Sequence, residues 1–170
     1  MKYTSVIVDD RAHCLEVMNR MEEEFKKGDE RFFIKVMQDE PSLVLRVHAV
    51  TILADLGSEA AIPTLTSVLL NDPDPLVRHE AAFTLGQIGL ISGVKGLEKA
   101  TLNDKDPIVR HESAAALGSI GSQVAKRTLQ KALKDKDELV SNSAAASLFN
   151  LEFLEKYAVG GTARDRAPRP

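Results

Sequence analysis

The sequence predicts an all-α solenoid of about four helix pairs with an N-terminal capping helix, and three observations carry that prediction. A block returns at fixed spacing, as NDPDPLVRHEAAFTLGQIG over 71–89 and NDKDPIVRHESAAALGSIG over 103–121. Whole columns step with it by 32 residues: Arg46, Arg78 and Arg110; Leu53, Leu85 and Leu117; Gly57, Gly89 and Gly121. The composition favours packed helices, since aromatics make up 5% of the chain and tryptophan is absent. Self-similarity at a period of this size marks a stacked array in which no unit buries its apolar face alone.

Taken in order, 9–27 (DDRAHCLEVMNRMEEEFKK) reads as an amphipathic helix that caps the array. A first pair is expected at roughly 29–38 and 41–56, and the leading helices of the later units at roughly 58–71, 91–103 and 121–134. Asp74-Pro75 and Asp106-Pro107 start the second helices of units 2 and 3. The aspartate oxygen caps free N–H groups and proline suits the first turn. Val77, Ala81, Leu85 and Ile88 then follow helical spacing, and Gly89 and Gly121 supply stops, because glycine enters the left-handed region without a Cβ clash. A fourth copy, KDKDELVSNSAAASL, is slipped by one residue, with Asp137 and Leu148 in register. It holds Ser141, Asn142 and Ser143 where the others hold Arg-His-Glu or its relics. The three column arginines are expected to bond aspartates of adjacent turns and so position the units. The chain divides into 1–28, an N-terminal segment and cap; 29–157, the repeat domain; and 158–170, a tail without apolar periodicity, expected to be mobile.

A formal net charge of -3 without a basic stripe speaks against a nucleic-acid partner. One cysteine, Cys14, excludes an internal disulfide framework and suits a reducing compartment, where it reads as a packed thiol. No apolar run is long enough to span a bilayer, and the patch in MKYTSVIVDD is too short for a signal h-region. The expectation is a soluble, cytoplasmic protein with no membrane partner. No Gly-rich phosphate loop and no Ser/His/Asp set with recognisable context is present. The EEEFKKGDER run reads as a solvated face and turn.

What folding does not require is the pair His79-Glu80 and its repeat His111-Glu112, in a chain with only four histidines. On a wheel of about 100° per residue, His79 and Glu80 fall on the two flanks of the face opposite the buried side. Stacking then brings the histidine flank of one unit towards the glutamate flank of the next, across about 8–10 Å between axes. Two imidazoles and two carboxylates suit iron, manganese or zinc, and offset the charge of one divalent ion. Gly86 and Gly118, seven residues beyond the histidines, are expected to leave room for the rings to turn. The competing reading is a solvated surface repeated by duplication. Leu76 and Phe83 lie between the flanks in unit 2, Ile108 in unit 3, and Val44 and Val47 on or beside the same face in unit 1. Apolar side chains there suggest an interface and favour face-to-face homodimerisation through the concave surface. His48 sits in the glutamate column and reads as a surface histidine. His13, with Glu16 three residues on, reads as an ordinary helix pairing.

The pattern D-x-D-P-[LI]-V-R-H-E-[AS]-A-x-x-L-G-x-I-G resembles the short HEAT-like repeat of the phycobilisome-lyase type, over roughly 29–155. HEAT-like helices carrying R-H-E here also resemble deoxyhypusine hydroxylase, a non-haem di-iron oxygenase family with four His-Glu motifs on two halves of its array. That resemblance covers one half, and implies His79, Glu80, His111 and Glu112 as ligands. Two motifs in one chain cannot assemble the whole site; a homodimer with about two irons would restore four. The implied function is a non-haem di-iron protein that binds or activates dioxygen, with enzyme activity left open. The alternatives are a metal-free protein-interaction scaffold and a phycobilin lyase-like subunit.

Overall fold

The computed structural model describes residues 11–157, whose regular elements are all helices, with no strand among them. In chain order the α-helices are α1 (Arg11–Lys27), α2 (Glu30–Asp39), α3 (Leu43–Leu56), α4 (Ile62–Asn71), α5 (Pro75–Ile88), α6 (Val94–Asn103), α7 (Pro107–Ile120), α8 (Lys126–Ala132) and α9 (Glu138–Tyr157). The first ten residues and the expected tail over 158–170 lie outside the described residues. Helices α4, α6 and α8 begin later than their spacing predicts. A short 3₁₀ turn precedes each, at Glu59–Ala61, Ile91–Gly93 and Gln123–Ala125. Tight 3₁₀ turns are common at helix N-termini, and here they bring each chain back from the preceding second helix.

Local chemistry sets the ends. Asp74, Asp106 and Asp137 accept from the N–H of Leu76, Ile108 and Leu139, and Pro75 and Pro107 occupy the first turn. Gly89 and Gly121 close α5 and α7 at φ 73° and 72°. Gly57 recurs for a different reason. Its φ is -50°, and a Cβ there would lie 2.4 Å from the Ile88 side chain, so the position is kept small by packing.

The helices form two layers, α2, α4, α6 and α8 in one and α3, α5, α7 and α9 in the other. Neighbours in the second layer pack more closely than those in the first. Curvature follows, because the tighter row must lie on the inside of the bend. The core between the layers is aliphatic and continuous, with Leu53, Leu85 and Leu117 from one column all fully buried beside Leu65, Leu97 and Leu129. Burial of one such leucine contributes about 1.5–3 kcal/mol. Helix α1 lies against α2 and α3, with Met21 buried and Cys14 packed against the core, as a cap would be. His13 meets Glu40 at 3.1 Å, rather than Glu16 on its own helix.

The arginine column forms the expected ladder. Arg46 pairs with Asp72, Arg78 with Asp104 and Arg110 with Asp135, each guanidinium also donating to two backbone carbonyls of its own unit's turn. Every rung ties one turn to the next. Gly86 and Gly118 do not make room for imidazoles. A Cβ at Gly86 would lie 2.9 Å from Ala116 Cβ, and one at Gly118 would lie 2.9 Å from Ser147 Cα. These glycines let the next helix of the inner row press against α5 and α7. In the slipped fourth copy their column is occupied by Phe149, which is 71% exposed.

Candidate functional site

The closer packing of α5, α7 and α9 brings the predicted flanks together on the concave face. His79 Nε2 lies 3.4 Å from Glu112 Oε2, across the boundary between units 2 and 3. Its other nitrogen, Nδ1, lies 3.3 Å from Glu80 Oε1 on the same helix. Glu112 Oε2 in turn lies 4.0 Å from His111 Nε2, and His111 Nδ1 contacts Ser143 Oγ on α9. The result is one row, Glu80–His79–Glu112–His111–Ser143, spanning three units. Its four titratable side chains are 15–26% exposed, half-buried but reachable from solvent. Among the described residues no group of three or more His, Cys, Asp or Glu side chains converges so as to hold a metal ion. The donors stand in line, each within 4.0 Å of the next.

Electrostatics follow from that line. The hydrogen bond to Glu112 raises the pKa of His79 above the ordinary imidazole value of 6.5. Partial burial works the other way, and the charges of Glu112 and Glu80 add to the rise. A histidine whose pKa is raised on folding contributes stability that is fully present below its unfolded pKa, and loses it as pH rises through the higher folded value. In urea titrations, metal-free wild type is therefore expected to lead His79→Gln by most at pH below about 6.5. The lead should shrink as pH rises beyond that. A lead that does not change with pH would show that His79 holds no extra proton.

Of the apolar side chains noted on this face, Val44 at 49%, Leu76 at 45%, Phe83 at 39% and Ile108 at 43% are exposed, whereas Val47 is partly buried and packs against the core. Leu139 at 50% extends them into the fourth unit, so that Val44, Leu76, Ile108 and Leu139 form one row beside the His-Glu row. The slipped fourth copy shows Ser143 only as a replacement in the glutamate slot, and nothing in its spacing signals that Ser143 reaches His111 or that Leu139 extends the apolar row. Correcting that slip places Leu139 and Ser143 in the columns of Ile108 and Glu112. His48 is exposed on α3, in the column of Glu80, and the row of contacts starts one unit after it.

Stacked two-helix units with a ladder of turn-to-turn ion pairs define an α-solenoid repeat protein. The chain belongs to the HEAT-repeat family, whose model, described as HEAT repeats, matches residues 30–100 and 94–152. No curated protein matches it. Among solved structures it is similar to human deoxyhypusine hydroxylase in complex with glycerol, at 24% identity and a TM-score of 0.72, over 86% of this chain and 51% of that one. It is also similar to the complex of CpcE and CpcF of phycocyanin lyase from Nostoc sp. PCC7120, at 23% identity and a TM-score of 0.64, over 94% of this chain and 68% of that one. At these identities the likeness is one of fold. The chain spans about half the length of the hydroxylase. No helix among the described residues is long and apolar enough to cross a membrane.

Proposed function

We propose that this chain is one half of a non-haem di-iron centre that binds or activates dioxygen, with His79, Glu80, His111 and Glu112 as its ligands. The observation that carries the reading is the contact of His79 and His111 with a single carboxylate, Glu112, across two repeat units. The donor set fits the ion: two imidazole nitrogens and two carboxylates supply ligands that iron accepts and two negative charges to offset a divalent ion. The donors stand in a row and do not enclose a point, which suits a half-site whose remaining ligands come from elsewhere. A second copy of the repeat domain 29–157, apposed through the concave face, would bring the same four residues around a twofold axis. The apolar row beside the ligands supplies the surface such a partner would bury and would shield the ligands from water. Iron would supply the redox chemistry towards dioxygen that no side chain in the row performs. The residues themselves have two tasks: Glu80 and Glu112 hold charge against the ion, and His79 gives up the proton it shares with Glu112 before it can donate a lone pair. A reducing, cytoplasmic setting with the single thiol of Cys14 suits ferrous iron. On the rival reading, the same concave face grips another protein and needs no metal.

Anaerobic loading of the full chain with ferrous iron separates the two. Desalted wild type should retain roughly two irons per dimer, develop a visible band on admission of oxygen, and run as a dimer by light scattering. His79→Ala and His111→Ala should each abolish iron retention and leave helical circular dichroism unchanged. Colourless, iron-free wild type would sink the reading, and so would an iron-loaded monomer. Iron retained in both variants would move the site elsewhere.

A further inference from the structure

The last member of the row stands outside the doubled motif. Ser143 belongs to the unit that has lost its His-Glu pair, yet its hydroxyl touches His111 Nδ1 from the neighbouring helix α9. The same hydroxyl lies 2.9 Å from the carbonyl oxygen of Leu139, one turn back on α9. That second contact determines the first. A carbonyl can only accept, so the single hydroxyl proton goes to Leu139. The oxygen then has only lone pairs to offer to His111, and the proton between them must come from the ring. Both bonds are made at once only when the neutral imidazole carries its hydrogen on Nδ1. Nε2 is thereby left with its lone pair, on the side of the ring that faces Glu112.

We infer that Ser143 is a positioning residue, which holds neutral His111 in the Nδ1–H tautomer and makes Nε2 the nitrogen free to bind a metal ion. The metal clause rests on the proposed di-iron reading; the tautomer clause does not. Free histidine favours the opposite tautomer, with hydrogen on Nε2, so the assignment is not what an unconstrained ring would show. His79 has no such device. Carboxylates face both of its nitrogens, Glu80 at Nδ1 and Glu112 at Nε2. The two histidines of the motif are therefore unequal before any ligand arrives, and the difference comes from the fourth unit. An outer hydrogen bond that fixes the tautomer of a ligating histidine is a known lever on metal affinity, of about 10–100-fold.

The test uses the full, metal-free chain labelled with ¹⁵N, at a pH where the rings are neutral. Two-bond ¹H–¹⁵N spectra should place His111 Nδ1 in the protonated, pyrrole-like range and Nε2 in the pyridine-like range. Ser143→Ala should shift the ring towards the Nε2–H form. Ser143→Thr should restore the wild-type pattern, because threonine can make the same bond to the carbonyl four residues back. Asn142→Ala, at an exposed site on the same helix, should change nothing. Wild-type His111 with its hydrogen on Nε2 would overturn the inference, as would a tautomer that Ser143→Ala leaves unmoved. Where wild type retains iron, Ser143→Ala should weaken ferrous binding about 10–100-fold and Ser143→Thr should recover it. Undiminished iron affinity in Ser143→Ala would overturn the positioning role. Iron-free wild type with the expected tautomer would count against the di-iron reading, while the hydrogen bond assigned to Ser143 would stand.

Discussion

Arg78→Ala is expected to lower the stability of the folded chain by about 3–5 kcal/mol, measured by urea denaturation. The side chain is 4% exposed, and both of its guanidinium bonds to Asp104 are short, at 2.8 and 2.9 Å. It also donates to the carbonyls of Asp72 and Pro73. Truncation leaves Asp104, itself 8% exposed, as a buried carboxylate with no guanidinium bonded to it. The N–H of Asp106 still bonds it at 2.9 Å, but a single neutral donor does not replace a bidentate guanidinium. Lysine is a poor substitute for the same reason, since one ammonium cannot span Asp104 and two carbonyls with the same fork. Arg46→Ala should cost less, because that rung is more exposed and its bonds to Asp72 are longer, at 3.2 and 3.4 Å. Removing both partners, as in Arg78→Met with Asp104→Leu, should recover much of the loss, because no charge is stranded. A single variant within about 0.5 kcal/mol of wild type would show that the ladder does not hold the turns together.

Gly118→Val is expected to separate the fourth unit from the third. The nearest atoms to a new Cβ belong to Ser147, with its Cα at 2.9 Å, so part of the obstacle is helix backbone that cannot rotate away. Overpacking of this kind costs about 1–3 kcal/mol, and the few tenths gained by removing a glycine from a helix do not offset it. Two bonds are strained as well, from Ser147 Oγ to Ala114 O and from Asn150 Nδ2 to Gly118 O. Repeat arrays fail at interfaces between neighbours, so the damage should be local. Hydrogen exchange in α8 and α9 should accelerate while α2 to α5 keep their protection. Ser119→Val, one residue on and exposed, serves as the control and should stay within about 0.5 kcal/mol. Uniform acceleration along the chain would contradict a glycine that acts through this one contact.

The sequence makes legible whatever repeats within one helix. The caps at Asp74 and Asp106, the stops at Gly89 and Gly121 and the buried leucine column all follow from spacing, and the helix wheel alone anticipates that His79 meets Glu112. The arginine ladder is legible too, because a column of arginines beside a column of aspartates leaves few other partners. What spacing does not give is the distance between helices. Gly86 and Gly118 read as space on their own helix, whereas that space belongs to the next one. Ser143 is legible only as the residue that fills the glutamate slot of the fourth copy; its contact with His111 joins two helices and cannot be read from either one alone. The bond between His13 and Glu40 joins α1 to the residue that follows α2 and is likewise invisible to a reading confined to one helix.

Phe149 gives the array a direction. A solenoid grows because each inner helix offers its successor a notch of the same depth, and any second molecule offering a suitable helix could enter an open notch. Head-to-tail contacts of that sort do not close on themselves; they generate filaments. An exposed ring stands at α9 where α5 and α7 carry only a hydrogen atom, so that notch is filled rather than open. A helix approaching α9 as α9 approaches α7 would meet the Phe149 ring before it met the backbone.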